Sequence, residues 1–411
     1  MSYTETIEYL YNLAPAFENH GVGAYKPGLG NMLQLMDALG NPHRQITCIH
    51  VAGTNGKGST CHTLAAILQS AGYKTGLYTS PHLVDFGERI KIDGKMIDKK
   101  FVVEFVQNNE ELIRTIEPSF FEVVTAMAFC WFRECQTDIN VIETGLGGRL
   151  DSTNVITPLL SIITNIGFDH TDLLGNTLEM IAREKAGIIK PNVPVVVGER
   201  QAETSRVFEQ AAQKANSQLT FVDSTSLPSD LLSSFQLKGL CQSKNLRTVM
   251  TAVEVLRHNG ISISEVAVAN GLSHVCDLTG LKGRWQTIST NPTVICDIGH
   301  NAHGIATVAR QLKQLTAPLH IVFGMLRDKN VGECLDLMPK NASYYFTQPD
   351  SHRAMTSDEM TTLARQHGLQ GTAYENPNEA IKCALKNAKK EDIIFVGGSN
   401  YLVGTAMLYF S

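Results

Sequence analysis

Residues 51–60 read VAGTNGKGST, a stretch that could bind phosphate. The common nucleotide-binding loop has a glycine, four further residues, and then Gly-Lys-Ser/Thr. Here Val51 occupies the position of the first glycine, and an additional glycine separates Lys57 from the hydroxyls of Ser59 and Thr60. Glycines let the main chain approach a phosphate closely, and a lysine neutralises phosphate oxygens. We therefore predict a phosphate loop with altered spacing, in which Ser59 rather than Thr60 faces a magnesium ion.

Polar residues follow three further segments that we predict to be buried strands. Glu143 ends INVIE, Ser80 ends GLYTS, and Asp169 and His170 come soon after SIITNIG. In open parallel sheets, ligands bind beyond the carboxyl ends of the strands. This placement favours Glu143 as a metal ligand, whereas His170 is interpreted equally well as a ligand or as a loop residue.

The remaining candidates lie further along the chain. Lys185 belongs to the helical segment REKAGIIK, and taken alone it is interpreted as an exposed helix lysine. DIGHNAHG places Asp297 and His300 at the carboxyl end of a strand, and GSNYLVG places Ser399 on a similar turn. Together these residues predict an ATP–Mg²⁺ enzyme to which two domains contribute polar groups. Their spacing leaves kinase-like and ligase-like chemistry open.

Alternating strand and helix patterns must position these residues. Apolar segments such as ITCIHVAG and DINVIETG alternate with helical ones such as STCHTLAAILQSAG. This pattern is typical of a doubly wound parallel sheet covered on both faces. After the junction LKGRWQTISTNP the alternation begins again with TVICDIG. We therefore predict an α/β protein with a P-loop-type, mainly parallel, doubly wound domain over residues 1–287 and a smaller Rossmann-like α/β domain over residues 288–411.

Composition limits the class of protein. The 411 residues carry a net charge of −5 and 43% hydrophobic residues, which indicates an ordinary globular protein and argues against non-specific nucleic-acid binding. No apolar run approaches the ~18–20 residues of a membrane span. The nine cysteines show no zinc-type spacing. We interpret them as reduced thiols of a cytoplasmic protein.

Nine segments occur in this chain in the order in which a known family carries them. They are AGTNGKGST, SPHLVDFGERI, ETGLGGRLDSTN, FDHTDLLG, REKAGIIK, GRWQ, DIGHNAHG, FGMLRDKN and GSNYLVG. In that order they resemble the folylpolyglutamate synthase/dihydrofolate synthase family of the Mur ligase superfamily, from about residue 25 to residue 404.

The resemblance implies an ATP-dependent ligase. In that family ATP phosphorylates a carboxylate, the amine of L-glutamate attacks the acyl phosphate, and an amide, ADP and phosphate result. The implied substrates are dihydropteroate, tetrahydrofolates and L-glutamate. The implied cofactors are ATP and Mg²⁺, with a monovalent cation such as K⁺ as a further candidate. The family also implies a monomer without nucleic-acid or membrane partners.

The resemblance further implies residue roles, position by position. Catalytic roles fall on Lys57, Lys185 and His300. The ATP positions are Gly53, Thr54, Asn55, Gly56, Lys57, Gly58, Ser59, Asn245, Arg284 and Asp297. The metal positions are Ser59, Ser80, Glu143, His170 and Lys185, the last as a carbamylated lysine. The folate or pteroate positions are Lys26, Pro27, Gly28, Leu29, Ser119, Phe120, Phe121, Glu122, Leu150, Asp151 and Ser152. The glutamate positions are Arg89, His300 and Ser399.

Three alternatives are open at this point. The enzyme could add only the first glutamate or only later ones, although Asp151, able to accept a hydrogen bond from an aminopterin edge, favours both activities. A peptidoglycan-precursor amino-acid ligase of the same superfamily would carry a UDP-sugar-binding domain ahead of the loop, and the roughly 50 residues before Gly53 are too few for one. A P-loop nucleotide switch would not need a second α/β domain with polar strand ends.

Overall fold

The computed structural model divides the chain into two compact units. It describes residues 1–13, 28–222, 227 and 229–411. Unit 1 consists of Met1–Gln236 and Gln242–Leu281, and unit 2 consists of Leu237–Cys241 and Lys282–Ser411. The division therefore follows residue 281, whereas the sequence prediction placed a domain boundary after residue 287.

A mainly parallel sheet of eight strands forms the centre of unit 1. Its strands are β1 (Cys48–Ala52), β2 (Thr75–Tyr78), β3 (Ile90–Ile92), β4 (Lys95–Met96), β5 (Ile139–Glu143), β6 (Leu160–Ile163), β7 (Val195–Val197) and β8 (Leu219–Phe221). They lie in the order β4-β3-β2-β5-β1-β6-β7-β8, and β3 runs antiparallel to both of its neighbours while the other pairs are parallel. Every residue of β1, β5, β6 and β7 is buried, as expected of strands covered on both faces. The predicted mainly parallel, doubly wound sheet is confirmed.

Helices connect these strands. The α-helices that the structure describes in unit 1 are α1 (Tyr3–Leu13), α2 (Gly30–Ala38), α3 (Lys57–Ser70), α4 (Lys99–Asn108), α5 (Glu110–Ile116), α6 (Phe120–Glu134), α7 (Thr171–Leu174), α8 (Leu178–Ala186), α9 (Ala202–Lys214), α10 (Ser229–Ser234), α11 (Gln242–His258), α12 (Glu265–Ser273) and α13 (Val275–Thr279). Short 3₁₀ helices cover Pro42–Arg44, Phe86–Arg89 and Ser152–Val155.

Helix α3, which begins directly after the phosphate loop, is enclosed by the rest of unit 1. All of its residues from Gly58 to Leu68 are buried. Small and apolar side chains all around the helix, rather than on one face, are typical of such an interior position. Gly271 of α12 permits a close helix contact, because a Cβ at this position would lie 2.6 Å from Ile67 Cα. The loop at the start of α3 is therefore held on a rigid support.

Unit 2 has a sheet of its own. Its strands are β9 (Gln286–Thr290), β10 (Thr293–Asp297), β11 (Leu319–Phe323), β12 (Ser343–Thr347), β13 (Gly371–Tyr374) and β14 (Ile393–Gly397). They lie in the order β13-β12-β11-β14-β10-β9, with β9 antiparallel to β10 and the other pairs parallel. The helices are α14 (Ala302–Leu312), α15 (Val331–Leu337), α16 (Ser357–Gln366), α17 (Pro377–Asn387) and α18 (Asn400–Tyr409). The smaller Rossmann-like α/β domain is confirmed, and a boundary after residue 287 would divide β9.

Among the helices in the described ranges, none is both long and apolar enough to cross a membrane.

Candidate active site

The carboxyl ends of four neighbouring strands in unit 1, β2, β5, β1 and β6, carry many of the predicted nucleotide and metal residues. Val51 of β1 lies beside Glu143 of β5, and Ala52 lies beside the last residue of β6. Ser80 follows β2, and its backbone N–H donates to Glu143 Oε2 at 3.3 Å. The parallel register therefore brings the phosphate loop, Glu143 and Ser80 to one edge of the sheet.

The loop between β1 and α3 has two positions that require glycine. Gly53 has φ +152° and Gly56 has φ +82°. A Cβ on Gly53 would lie 1.8 Å from Thr164 Oγ1, and a Cβ on Gly56 would lie 2.3 Å from Asn245 Oδ1. Lys57, the first residue of α3, bends back over the loop and donates from Nζ to the carbonyl of Gly53 at 3.2 Å. A helix N-terminus with a lysine beside it favours an anion such as phosphate.

The segment at the end of β6 holds the loop in this shape. Thr54 N–H donates to the carbonyl of Asn165, and Asn55 N–H donates to Asn165 Oδ1, both at 2.9 Å. Thr164 Oγ1 donates to the carbonyl of Asn55 at 2.7 Å. The sequence prediction missed Thr164 and Asn165 as functional residues. The signal that could have found them is their position at the end of a predicted strand, at the same sheet edge as the loop.

Lys185 reaches the same loop from α8. Its side chain is 3% exposed, and its Nζ donates to the carbonyl of Gly53 at 2.9 Å. The interpretation of an exposed helix lysine is therefore wrong, because α8 directs this residue toward the sheet edge. Burial, and next the charge of Lys57, lower the pKa of the amine from 10.5 to about 7, against the opposing charges of Asp169 and Asp151. Near pH 7 a substantial fraction of the amine is therefore unprotonated and nucleophilic.

Ser59 is positioned by the first turn of α11, a contact that the sequence did not indicate. Ser59 is buried, and its Oγ accepts a hydrogen bond from Gln242 Nε2 at 3.2 Å. Gln242 Oε1 accepts in turn from Asn245 Nδ2 at 2.9 Å. The alternative hydroxyl, Thr60 Oγ1, is also buried and has no hydrogen-bond partner. Asn245, predicted to contact ATP, therefore already uses its amide nitrogen within the protein.

The other predicted metal positions offer a carboxylate and an imidazole. Glu143 is buried, and His170 adopts φ +48° with its Nε2 3.8 Å from Asp169 Oδ1. No group of three or more His, Cys, Asp or Glu side chains suited to a metal occurs in the part of the chain that the structure describes. The predicted set instead adds two serine hydroxyls and a lysine to one carboxylate and one imidazole. The carboxylate and hydroxyl oxygens match the hard oxygen ligands that Mg²⁺ prefers, so these residues fit the ion.

Phe120 and Phe121, both predicted to surround the pterin, have different environments. Phe120 is buried, with Tyr11 stacked on its ring at a centroid distance of 4.6 Å and Arg89 Cζ 5.4 Å from its ring centroid. Phe121 is half-buried, and its ring lies so close to Gly145 that a Cβ there would be 2.6 Å from Cζ. Core contacts therefore cover Phe120, whereas part of the Phe121 ring stays exposed.

Ser119 and Glu122, predicted beside these rings, form a reciprocal cap at the start of α6. Ser119 N–H donates to Glu122 Oε2 at 2.7 Å, and Glu122 N–H donates to Ser119 Oγ at 3.3 Å. Such a capping box satisfies backbone donors at the helix start. Both side chains therefore fix the direction in which α6 presents Phe121.

The other predicted folate positions lie in loops. Lys26 and Pro27 lie outside the described residues, and Gly28 and Leu29 directly precede α2. Leu150 and Ser152 are half-buried on either side of Asp151.

Asp151 points into the loop that connects β5 to β6. It is buried, and its Oδ2 accepts from Leu146 N–H at 2.8 Å while its Oδ1 accepts from Thr153 N–H at 3.0 Å. Thr153 Oγ1 also lies 2.8 Å from His50 Nε2, which ties the loop to β1. Burial raises the pKa of Asp151, although the hydrogen bonds from Leu146 and Thr153 oppose this shift. The carboxylate therefore holds the shape of this loop.

Unit 2 has predicted site residues at the carboxyl edge of its own sheet. Asp297 of β10 lies in register with Gly397 of β14, so the turns that carry His300 and Ser399 are neighbours. Ser399 is buried and caps α18 by accepting a backbone N–H at 3.2 Å. His300 Nδ1 lies 3.0 Å from a backbone carbonyl oxygen. Arg89, the third predicted glutamate position, belongs to unit 1.

Asp297 also orders the segment that carries Arg284. Its carboxylate accepts hydrogen bonds from Trp285 N–H at 2.9 Å and from Gly299 N–H at 2.8 Å. Burial raises the pKa of Asp297, while these hydrogen bonds and the charge of Arg284 lower it. Gly283 and Trp285 both have positive φ, at +70° and +47°. The two flanking residues therefore set a sharp turn around Arg284.

Two family models match this chain. The Mur ligase middle domain matches residues 51–253, and the Mur ligase glutamate ligase domain matches residues 283–400. A dihydrofolate synthase/folylpolyglutamate synthase of Bacillus subtilis (strain 168) is 34% identical to this chain, and the match covers 92% of this chain and 94% of that protein.

Two solved structures have a similar fold along nearly the whole chain. The E. coli FolC in complex with DHPP and ADP is 29% identical, with a TM-score of 0.84 and coverage of 99% of this chain and 97% of that chain. A bifunctional folylpolyglutamate synthase/dihydrofolate synthase with Mn, AMPPNP and L-glutamate bound is 28% identical, also with a TM-score of 0.84, and the match covers 99% of this chain and 98% of that chain.

Proposed function

Because the chain belongs to the folylpolyglutamate synthase/dihydrofolate synthase family of Mur ligases, we propose that it uses ATP to join L-glutamate to dihydropteroate and to reduced folates. It is an ATP-dependent ligase that forms a C–N bond. The single observation that supports this most directly is that Lys57 and Lys185 both donate hydrogen bonds to the carbonyl of Gly53. This carbonyl belongs to a loop in which a Cβ at Gly53 or Gly56 would clash with neighbouring side chains.

In the proposed first step, a substrate carboxylate oxygen attacks the γ-phosphorus of ATP. An O–P bond forms, the bond to ADP breaks, and an acyl phosphate results. Phosphoryl transfer depends on positioning and on the screening of negative charge. The start of α3 and the Lys57 ammonium supply that screening at the loop. Lys57 Nζ donates to two loop carbonyls, which leaves the third of its donors for a phosphate oxygen.

We propose that Lys185 carries a carbamate. Its uncharged amine attacks CO₂, an N–C bond forms, and a proton leaves. The carbamylated nitrogen keeps one N–H, which is sufficient for the hydrogen bond to the carbonyl of Gly53. A buried amine whose protonated form is repelled by Lys57 thus becomes an anion that Lys57 attracts.

The carbamate would complete the proposed metal site. The residues that would hold Mg²⁺ are Ser59, Ser80, Glu143, His170 and Lys185. When bound, the ion supplies additional screening of the phosphate charge. Ser59 approaches from α3 and Glu143 from β5, so elements on either side of the loop contribute to the site.

In the proposed second step, the amine of L-glutamate attacks the acyl carbon, and phosphate leaves with the bonding electrons. The proposed glutamate residues are Arg89, His300 and Ser399. In the tautomer that donates from Nδ1 to the nearby carbonyl, His300 Nε2 is the nitrogen able to accept the amine proton. We assign the pterin contact to Phe121, because its ring is half-buried while that of Phe120 is enclosed.

A side-by-side assay tests the proposal. Release of ADP and incorporation of glutamate are measured with dihydropteroate and with tetrahydrofolate, each with and without L-glutamate. We expect both substrates to be used, and Lys57→Met to reduce kcat by about a hundredfold through lost charge stabilisation. Lys100→Met, at a lysine that is 80% exposed, is the matched control and should leave kcat unchanged.

The outcomes of this assay separate the alternatives. ADP release that does not depend on a pteroate and glutamate would contradict the ligase proposal and favour a nucleotide switch. Use of only one of the two pteridine substrates would identify a monofunctional enzyme.

We further propose that the enzyme works as a cytoplasmic monomer with small molecules as its partners. The nine cysteines are all free thiols, which suits a reducing compartment. The monomeric state is carried over from the family, and light scattering coupled to size-exclusion chromatography tests it.

A further inference from the structure

Gln242, the first residue of α11, occupies an interior position at the phosphate loop. Its side chain is 3% exposed, although glutamine is usually found at the surface. It lies in the stretch CQSKN, outside the nine segments that resemble the family. Gln242 Nε2 donates to Ser59 Oγ at 3.2 Å, across 183 residues of sequence. A buried amide must satisfy its polar atoms, and this one does so through the loop.

Asn245 forms a hydrogen bond with the carbonyl oxygen of the Gln242 amide. Asn245 Nδ2 donates to Gln242 Oε1 at 2.9 Å, so the carbonyl of Gln242 faces Asn245 and its NH₂ group faces Ser59. Asn245 is held tightly against the loop, because a Cβ on Gly56 would lie 2.3 Å from its Oδ1. The first turn of α11 and the phosphate loop therefore form one packed arrangement.

This arrangement sets the direction of the Ser59 hydroxyl. A hydroxyl has one proton and two lone pairs, and Ser59 Oγ accepts the Gln242 N–H with one of those lone pairs. The second lone pair and the proton remain for a cation and a phosphate oxygen. Without Gln242 this hydrogen bond is lost, and the hydroxyl can rotate about the Cα–Cβ bond into staggered positions that turn the oxygen away from the nucleotide side.

We infer that Gln242 is a positioning residue that holds the Ser59 hydroxyl ready to accept Mg²⁺ at the phosphate loop. The inference rests on the proposed function, in which Ser59 is a metal ligand. Gln242 acts through Ser59 and does not itself touch the nucleotide.

Nucleotide binding without turnover tests this inference. Titration calorimetry measures the affinity of the full-length protein for AMPPNP with and without Mg²⁺, in wild type and in Gln242→Met. Mg²⁺ should increase the affinity for AMPPNP by about three- to tenfold less in the variant than in the wild type, which is the effect of one hydrogen bond. The affinity without Mg²⁺ should be the same in both proteins. Gln236→Met is the matched control, since Gln236 also links two segments of unit 1 through its amide but contacts Asp277 and Cys276.

The Ser59→Ala and Ser59→Ala/Gln242→Met variants complete the design. If Gln242 acts through Ser59, the double variant binds Mg²⁺–AMPPNP as weakly as Ser59→Ala alone. An equal loss of affinity with and without Mg²⁺ in Gln242→Met would overturn the inference, because it would indicate general loop packing. The inference would also be overturned if Ser59→Ala abolished the gain in AMPPNP affinity from Mg²⁺ while Gln242→Met left that gain unchanged.

A second variant guards against a folding defect in Gln242→Met, and glutamate addition by the wild type tests the proposed function independently of Gln242. If Gln242→Met does not fold, Gln242→Asn replaces it, because its amide is one methylene too short to reach both partners. Intact Mg²⁺-dependent binding in that variant would again overturn the inference. A wild type that binds Mg²⁺–AMPPNP through Ser59 and Gln242 but adds no glutamate to either substrate would refute the proposed function and support the inference.

Discussion

Replacement of Lys185 with methionine removes a buried titratable amine while keeping a side chain of similar length. The pKa of this amine falls from 10.5 to about 7 in the folded protein. Between these two pH values the unfolded chain binds a proton that the folded chain has lost, so the stability of the wild type rises with pH. Below the lower value both states are protonated, and the full cost of burying the charge is present. Above the higher value the cost disappears.

The expected magnitude follows from the size of this pKa shift. Burial of the amine lowers the free energy of unfolding by about 4 kcal/mol at pH 7 and by about 2 kcal/mol at pH 9. Lys185→Met removes this cost but also loses the hydrogen bond to the carbonyl of Gly53, which reduces the gain in stability by about 1 kcal/mol at either pH. Lys185→Met should therefore stabilise unit 1 by about 3 kcal/mol at pH 7 and by about 1 kcal/mol at pH 9. The difference between the two pH values does not depend on the estimate for the hydrogen bond.

Urea unfolding in CO₂-free buffer measures this difference, since exclusion of CO₂ keeps the amine unmodified. The chain has two tryptophans, Trp131 in unit 1 and Trp285 in unit 2. In a Trp285→Phe background, the fluorescence of Trp131 reports the unfolding of unit 1 by itself. Lys100→Met, at a lysine that is 80% exposed, is the control, and its effect should not change between pH 7 and pH 9. The same gain for Lys185→Met at both pH values would refute a buried amine that titrates in this range.

Three further predictions concern the loop and the substrate segments. Phe121→Ala should raise KM for dihydropteroate and cost less stability than Phe120→Ala, which should cost about 3–5 kcal/mol in urea unfolding. Equal KM effects would count against the assignment of the pterin contact to Phe121. Gly53→Ala would place a Cβ 1.8 Å from a threonine hydroxyl and should abolish AMPPNP binding in calorimetry, whereas Gly30→Ala, with nothing within 4 Å, should bind normally. Asp151→Ala should impair glutamate addition to dihydropteroate more than to tetrahydrofolate if the carboxylate also accepts from the aminopterin edge, and equal losses in a paired assay would indicate that it only holds the shape of the loop between β5 and β6.

Features that depend on neighbouring residues were predictable from the sequence. The order strand, glycine-rich turn, lysine, helix is local, and it predicted a phosphate loop despite the unusual spacing of residues 53–59. The alternation of apolar strands with helices predicted two α/β domains. Because parallel strands end at a common edge, it also predicted that Glu143 and Ser80 would lie near the loop, and a hydrogen bond now joins them.

Contacts between distant parts of the chain were decided only by the tertiary structure. Lys185 meets Gly53 across 132 residues, and Gln242 meets Ser59 across 183. Residue type alone predicted an exposed lysine and did not single out the glutamine. The protonation of a lysine and the orientation of an amide depend on which groups surround them and on how much water is excluded. Those surroundings exist only after β1, α8 and α11 have packed together, and no local pattern in the sequence contains them.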